Sequence, residues 1–330
     1  MRWPVHDDFW FGVNLPWLDY GGDFGANRWR PSGGVGQPDR RTALRQVLGR
    51  LADHGIPTVR WFMFADGRAG LQESQAGDVL GLDDCVFRDA DAAVEELNRV
   101  GLTAIIVLFD FHWFRRARVV DGVRTGGRGA QAAVPALRAR LLEHAVDPLL
   151  CRYGRHPAIA AWDVINEPEW ATRGLCLPPR QSEVPRQAMR AFIRETVTII
   201  HQRTSHAATV GSASVRTLPL VEGLGLDVYQ AHWYDRLDRK APLGRPVASL
   251  GLDRPLILGE FPTRGSRRTP AEIVETARRA GYAGALAWSA LASDDASDAG
   301  ALAQARSGAG SPPSGGEDGQ VVIRPPGVVD

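Results

Sequence analysis

The feature that most constrains the fold is a regular alternation of short apolar segments with amphipathic segments along the chain. Eight apolar segments have the length and composition of strands buried on both faces. They comprise residues 9–15, 58–64, 103–111, 158–166, 208–214, 226–234, 255–261 and 284–291. Between them, apolar residues recur at three- and four-residue spacing, which is the periodicity of a helix that packs on one face. Eight strand–helix repeats predict a single α/β domain of the (β/α)8 TIM-barrel class.

The connections between these segments differ in length according to their direction. Helix-to-strand connections are short, as in residues 54–57, 100–102 and 154–157. Strand-to-helix connections are mostly long and comprise residues 16–37, 65–82, 114–132, 169–181 and 235–250. In a barrel of parallel strands these long loops gather at the carboxyl ends of the strands, and that face carries the active site. We therefore expect the functional residues at this mouth of the barrel.

Length and charge limit the other possibilities. The chain has 330 residues, of which 44% are hydrophobic and 23% charged, with a formal net charge of +1. Because neither charge sign predominates and no apolar run could span a bilayer, we expect no nucleic-acid partner and no membrane association. We expect a barrel over residues 1–306, a disordered Gly/Pro/Ser-rich tail over residues 307–330, and a monomer in preference to an oligomer.

Neither the amino terminus nor the cysteines point to export. A proline, a histidine and two aspartates within residues 4–8 interrupt the apolar core that a secretion signal requires. We therefore expect a cytoplasmic location, or a secreted one if a leader precedes the given sequence. Cys85, Cys151 and Cys176 lack metal-binding spacing, and their odd number gives no disulfide framework. Since no His, Asp or Glu set has ligand spacing either, we expect no metal and no cofactor.

Two carboxylates lie at the ends of apolar strands, where a buried charge is costly unless the protein uses it. Glu167 follows the segment 158–166, and Glu260 lies near the end of 255–261. On the fourth and seventh strands of a closed barrel, these acids fall on roughly opposite sides of the mouth. Enzymes that cleave glycosidic bonds place one acid on each side of the bond. Either acid alone could instead interact with the amino terminus of a following helix.

The motifs around these acids resemble those of the retaining glycoside hydrolases of clan A, most closely glycoside hydrolase family 5, which includes cellulases and mannanases. The resemblance rests on VINEPEW on the fourth strand and LGEF on the seventh, supported by VRW, FDFHW, AHWYD and LAWS. It covers about residues 9–291. It implies a barrel that hydrolyses β-glycosidic bonds in a glucan, mannan or related oligo- or polysaccharide through a covalent glycosyl-enzyme.

The resemblance also implies roles for individual residues. Glu167 would be the general acid/base, Glu260 the nucleophile, and Arg60 the cation that keeps Glu260 ionised. Arg60 could instead serve only a structural ion pair with Asp163. The remaining positions would bind substrate and comprise His112, Asn166, Trp170, His232, Tyr234 and Trp288. Among them, Asn166 would bond to the sugar 2-OH, Tyr234 to the nucleophile, and Trp288 would form the subsite floor, with a peptide bond after it that is often cis in this family.

The chemistry requires opposite protonation states in the two acids. Glu260 must be ionised to attack, so it needs a cation and hydrogen-bond donors nearby. Glu167 must be protonated when the bond breaks, so we expect its pKa to be raised by the apolar strand and by the negative charge of Glu260. A retaining mechanism further implies carboxyl groups roughly 5–5.5 Å apart.

Aromatic residues are frequent in the long loops and could stack on sugar rings in several subsites, although they could equally fill loop cores. They are Trp17, Tyr20, Trp29, Trp113, Trp170 and Trp233. Two other functions stay open: a transglycosylase that uses the same acids, and a barrel that only binds carbohydrate. The presence of both acids together with Arg60, His232 and Tyr234 argues against a barrel that only binds.

Overall fold

Eight parallel strands close into a barrel in the computed structural model, which describes residues 9–74, 77–175, 184–291 and 294–309. We number them β1 to β8 in chain order, and their order around the barrel follows the sequence, with β8 paired to β1. They are β1 (Trp10–Asn14), β2 (Thr58–Phe62), β3 (Thr103–Asp110), β4 (Ile159–Asn166), β5 (Ala207–Ser212), β6 (Tyr229–His232), β7 (Leu256–Pro262) and β8 (Gly284–Trp288). The predicted (β/α)8 barrel is confirmed, with strand ends within a few residues of those expected.

Helices surround the barrel at the positions that the periodicity predicts. The longer ones are Pro38–Asp53, Asp84–Arg99, Arg186–Arg203 and Pro270–Ala280, and a composite helix runs through Pro135–Leu141, Leu142–Val146 and Asp147–Tyr153. Their starts follow local chemistry. In the helix Pro270–Ala280, Pro270 occupies the first turn, where its missing N–H costs nothing. Thr269, which precedes the helix, and Glu272 in its first turn form a reciprocal capping box.

The last helix is Leu302–Gly308, and the residues that the structure describes end at position 309. This helix ends just beyond position 306, where the sequence predicts that the barrel stops. Residues 310–330, which make up most of the predicted tail, lie outside the described residues, as does Cys176.

The interior of the barrel has an apolar end and a polar end. A compact inner cluster fills the part remote from the mouth and comprises Ile105, Ala161, Ala207, Val228, Ile257 and Leu286. The larger apolar cluster lies mainly outside the strands, between the sheet and the helices. Towards the mouth, the interior side chains become polar but stay buried, and they include Asn14, Arg60, Asp163 and Gln230.

Three strands are irregular near the mouth, and this irregularity positions the polar side chains. Pairing shifts register between Asp163 and Asn166, between Ala231 and His232, and between Leu258 and Phe261. A bulge bends its strand and re-aims the side chains that follow. On β7 it allows Glu260 to reach the mouth while the neighbouring Phe261 packs in the outer core.

Two of the long mouth loops contain secondary structure that the sequence does not predict. A hairpin formed by Leu71–Glu73 and Val79–Leu82 follows β2, and a second, formed by Arg118–Val120 and Val123–Thr125, follows β3. Among the described residues no helix combines the length and apolar character needed to cross a bilayer.

Candidate active site

A cleft of about 530 Å³ lies at the carboxyl ends of the strands, as the loop lengths predict. It is lined by most of the predicted site residues, namely His112, Asn166, Glu167, Trp170, Tyr234, Glu260 and Trp288. The other two, Arg60 and His232, lie buried directly beneath it, at 0% and 1% exposure. The barrel therefore brings all the predicted positions together, from six different strands and the loops that follow them.

Glu167 is held at the lip of β4 by its backbone. Its φ is 46° and its ψ is 54°, a left-handed conformation that a residue other than glycine adopts only at a cost. The Glu167 N–H donates to the Gly211 carbonyl at 2.7 Å, and the Trp170 N–H donates to the Glu167 carbonyl at 3.1 Å. These bonds fix the turn and aim the carboxylate into the cleft, where 17% of the side chain is exposed.

Glu260 faces Glu167 and receives two strong donors. Arg60 Nη1 donates to Glu260 Oε1 at 2.8 Å, and the Tyr234 hydroxyl donates to Oε2 at 3.0 Å. One carboxylate oxygen of Glu260 lies within 4.8 Å of one of Glu167. This gap fits two acids that act on one bond with retention, and is shorter than the 6.5–9.5 Å that inversion requires.

Arg60 forms the centre of the buried polar layer. Besides Glu260, its guanidinium donates to Asp163 Oδ2 at 2.9 Å, to Asn166 Oδ1 at 2.8 Å and to Asn14 Oδ1 at 3.1 Å. Arg60 thus pairs with Asp163 and with Glu260, so the interpretation that it serves only a structural ion pair with Asp163 is wrong. A planar guanidinium with five donors suits such a hub, whereas a lysine ammonium would leave several acceptors without a partner.

His232 lies between the two acids. Its Nδ1 is 2.8 Å from Glu167 Oε1 and 3.4 Å from Glu260 Oε2. Burial lowers the pKa of His232 to about 4, so the ring is neutral at ordinary pH. Glu167, His232 and Glu260 present ligand atoms close enough to hold a metal ion, yet Nδ1 already engages Glu167 and the Arg60 charge already faces Glu260. The arrangement is explained by an acid pair, and the absence of a metal stays a prediction.

The surroundings raise the pKa of both acids, including Glu260, which must be ionised to attack. Burial and, to a lesser extent, the nearby charge of Asp110 together raise the pKa of Glu167 to about 7, as a general acid requires. Burial also raises the pKa of Glu260, while the charge of Arg60 and the hydrogen bond from Tyr234 oppose this and favour the ionised form. Tyr234 itself has a pKa well above its usual value because of burial, so it stays a donor.

Asp110 is a site residue that the sequence reasoning missed. It ends β3, lines the cleft, accepts a hydrogen bond from Asn166 Nδ2 at 2.9 Å, and lies 2.6 Å from His112 Nδ1. The signal that identified Glu167 and Glu260, an acid at the end of an apolar strand, applies equally to Asp110. His112 lies two residues further, on the short helix Phe111–Phe114.

The aromatic residues divide between the cleft and the core. Trp170 and Trp288 line the cleft as predicted, and Trp17 and Tyr20 join them. Trp288 Nε1 donates to Asp294 Oδ2 at 2.7 Å, and the peptide bond after Trp288 is cis. Trp113 and Trp233 are buried, at 0% and 7% exposure, so the core interpretation holds for them. Trp29 is partly exposed and does not line the cleft.

Comparisons with known proteins agree with the barrel. The chain is 22% identical to a mannan endo-1,4-β-mannosidase of Mytilus edulis over 86% of this chain and 84% of the relative. It is 24% identical to one of Cryptopygus antarcticus over 88% and 82% of the two chains. The fold is shared with an endo-1,4-β-mannanase structure from Eisenia fetida, with a TM-score of 0.74 at 22% identity over 92% and 91% of the chains. No family model matches the sequence.

The comparisons overturn the expected location. We expected a cytoplasmic protein because residues 1–17 lack an apolar leader core. This expectation is wrong, because the animal mannanases that the chain resembles are secreted digestive enzymes. The composition of one terminal segment was too weak a basis for assigning a compartment.

The relatives and the architecture lead to one assignment. Sequence similarity to mannanases extends over most of the chain, and the same barrel recurs in solved mannanases. The chain is therefore a retaining β-glycosidase that is similar in sequence and fold to clan A enzymes of the glycoside hydrolase family 5 type.

Proposed function

We propose that the chain is an endo-acting hydrolase of β-1,4-linked mannan in which Glu260 is the nucleophile and Glu167 is the general acid/base. The observation that carries this proposal is the pair of opposed carboxylates, with oxygens within 4.8 Å, of which one faces a guanidinium and the other does not. The substrate comes from the names of the relatives, which are endo-1,4-β-mannosidases.

In the first step, Glu260 attacks the anomeric carbon while Glu167 gives its proton to the departing glycosidic oxygen. Glu260 is suited to attack because Arg60 and Tyr234 hold its two oxygens in place, at 2.8 and 3.0 Å. Glu167 is suited to donate because burial raises its pKa to about 7, which keeps it protonated at mildly acidic pH.

In the second step, water attacks the glycosyl-enzyme and Glu167 takes its proton. Esterification removes the negative charge of Glu260, so the pKa of Glu167 falls between the two steps and the same carboxyl becomes a base. Two inversions at one carbon restore the original anomeric configuration, and Glu260 leaves as a carboxylate.

Asn166 and the aromatic residues would orient the sugar. Asn166 Oδ1 accepts from Arg60 and Nδ2 donates to Asp110, which fixes the amide plane and leaves a second Nδ2 hydrogen for a sugar hydroxyl. Such a bond to the 2-OH strengthens as positive charge develops on the ring. Trp170 and Trp288 present flat faces to the cleft, on which pyranose rings can stack.

The shape of the mouth supports attack within a chain. The cleft shares Tyr20 and His112 with a cavity of about 860 Å³ on the side of the β3 loop. It shares Tyr234 and Leu237 with one of about 410 Å³ on the side of the β6 loop. A groove that continues on both sides of the acids can accept a polymer that passes through, whereas a closed pocket would admit only a chain end.

Digestion of linear mannan, with the products sized over time, tests this function. We expect a rapid fall in viscosity and early release of mixed oligosaccharides, with cellulose derivatives as comparison substrates. Release of mannose alone from the start would contradict endo action. Products longer than the substrate in the presence of an acceptor would indicate a transglycosylase, and binding without cleavage would contradict both.

A further inference from the structure

The cavity of about 860 Å³ on the side of the β3 loop has a charge opposite to that of the cleft it adjoins. Its lining includes Arg68, Arg115, Arg116 and Arg118, with Asp66 as the acid among them. Asp66 is paired with Arg68 at 2.8 Å. The lining of the main cleft instead includes four acids, Asp110, Glu167, Glu260 and Asp294.

Two of these arginines are free to meet a ligand. Arg116 and Arg118 are exposed, and within the described ranges neither side chain forms an ion pair or hydrogen bond with the protein. Arg118 belongs to the hairpin of Arg118–Val120 and Val123–Thr125, which forms one wall of the cavity. Arg116 and Arg118 therefore offer two unpaired positive charges on one concave surface, although the formal net charge of the chain is only +1.

The cavity and the cleft are continuous. Tyr20, His112 and Arg115 line both, so a glycan chain bound across the acids would extend into the arginine-lined cavity. A carboxylate on the sugar would be repelled by Glu260 and Asp110 in the cleft. In the cavity, the same group would meet guanidinium forks, whose planar geometry matches carboxylates.

We infer that this cavity is a subsite for a sugar unit that carries a carboxylate, so that the enzyme accepts acidic β-1,4-mannans and binds them with the anionic unit placed in the cavity. The inference rests on the proposed function for the identity of the backbone sugar. It adds to that function a preference for glycans that carry a carboxylate over neutral mannan.

Binding of two matched oligosaccharides by the full chain tests this subsite. The probes are mannohexaose and the same oligosaccharide partly oxidised at C6 to mannuronate, measured by titration calorimetry on the Glu260→Gln variant, which cannot turn them over. Two exposed arginine–carboxylate pairs should give the oxidised probe about fivefold tighter binding at low salt. This advantage should shrink in about 0.5 M salt, where screening is strong.

Substitution of the arginines assigns the effect to the cavity. In Arg116→Gln/Arg118→Gln the two probes should bind within about twofold of each other. Arg254→Gln is the matched control, because Arg254 is an exposed arginine just before β7, at the opposite end of the barrel, and it should retain the full preference. The melting temperature of each variant verifies folding, and each single substitution should remove part of the preference.

The outcomes separate this inference from the proposed function. Equal binding of the two probes by the protein with all its arginines, or a preference that survives the double substitution, overturns the subsite. If neutral mannan is neither bound nor cut, the proposed function fails. In that case the subsite is tested by binding of a mannuronate oligosaccharide alone. Binding that is weakened by salt and that needs Arg116 and Arg118 supports the subsite, and the absence of binding overturns it.

Discussion

The two ends of the barrel interior are built from the same strands but differ in composition, because one is apolar and the other holds buried polar and charged side chains. Strand β7 contributes Ile257 to the apolar cluster at one end and Glu260 to the polar layer at the other. Strand β4 likewise contributes Ala161 to the first and Asp163 to the second. The apolar end gains stability by removing surface from water, at roughly 25 cal/mol per Å². The polar end forgoes much of this gain and holds charges in place instead.

The polar end can persist because its charges compensate one another. Arg60 is fully buried and bonds to two acids, Asp163 and Glu260, and Gln230 Nε2 also donates to Asp163 at 3.0 Å. Such a buried network is a poor source of net stability, but loss of one member leaves the others uncompensated. The comparison therefore predicts that substitutions at the polar end affect both catalysis and folding, whereas those at the apolar end affect folding alone.

The largest effect should come from removing the nucleophile. Glu260→Gln keeps the shape and some hydrogen bonds of the side chain but cannot form the glycosyl-enzyme, so kcat on mannan should fall by about 10⁴-fold or more. Initial rates with freshly purified protein measure this, and circular dichroism confirms folding. A variant that retains more than a few per cent of the rate would show that Glu260 is not the attacking group.

The general acid should have a large effect that depends on the leaving group. Glu167→Ala should lower kcat on mannan by about 10²–10⁴-fold. It should lower much less the release of dinitrophenol from an aryl β-mannoside, since that leaving group needs no proton. Equal losses on both substrates would refute the assignment of Glu167.

The pH profile gives a second readout of the same residue. Glu167 must be protonated to break the bond, and its pKa is raised to about 7, so activity on mannan should fall as pH rises through about 7. Glu260 must be ionised, so activity should also fall in acid. Glu167→Ala should lose the alkaline limb for the aryl substrate, and an unchanged limb would place that titration elsewhere.

A matched pair of substitutions compares the two ends directly. Arg60→Met leaves two buried acids without their cation and should lower the free energy of unfolding by about 3–5 kcal/mol, with loss of activity. Ile257→Ala removes buried methyl groups and should cost about 2–5 kcal/mol, while kcat/KM per folded molecule stays near that of the parent. Denaturant unfolding and active-site titration measure both. A large catalytic loss in Ile257→Ala would show that the two ends are coupled.

A smaller effect is expected at a buried acid beside the site. Glu169 has 0% exposure, its Oε2 accepts from the Ala213 N–H at 3.2 Å, and burial raises its pKa to about 7. Because the unfolded chain ionises near 4.5, the acid destabilises the fold increasingly as pH rises from about 4.5 to 7. Glu169→Gln should therefore gain about 1–3 kcal/mol at pH 8 and almost nothing at pH 4. An equal change at both pH values would contradict the shifted pKa.

The sequence predicted the barrel well because each strand is a local apolar segment and each helix has its own periodicity. The positions of Glu167 and Glu260 followed from the same pattern, since an acid at the end of a buried strand is conspicuous. Asp110 is also an acid at the end of an apolar strand, but the substrate-binding role was assigned to His112, two residues later. Prediction worked where one residue and its neighbours in sequence carry the information.

The orientations near the mouth could not be predicted in the same way. Simple alternation from Ala161 and Asp163 would point Ile165 into the barrel, but the register shift on β4 places Asn166 there and Ile165 in the outer core. Such bulges depend on pairing with neighbouring strands, which no local segment reveals. For the same reason, no local pattern predicts that the β3 loop folds back as a hairpin beside the cleft.

Trapping of the covalent intermediate identifies the residue that attacks the sugar. The protein is incubated with 2-deoxy-2-fluoro-β-mannosyl fluoride, whose fluorine at C2 slows hydrolysis of the glycosyl-enzyme more than its formation. Peptide mapping by mass spectrometry then locates the added sugar. We expect one sugar per chain on the peptide that contains Glu260, and no labelling in Glu260→Gln. A sugar attached to another residue, or turnover of this reagent with inversion at the anomeric carbon, would contradict this expectation.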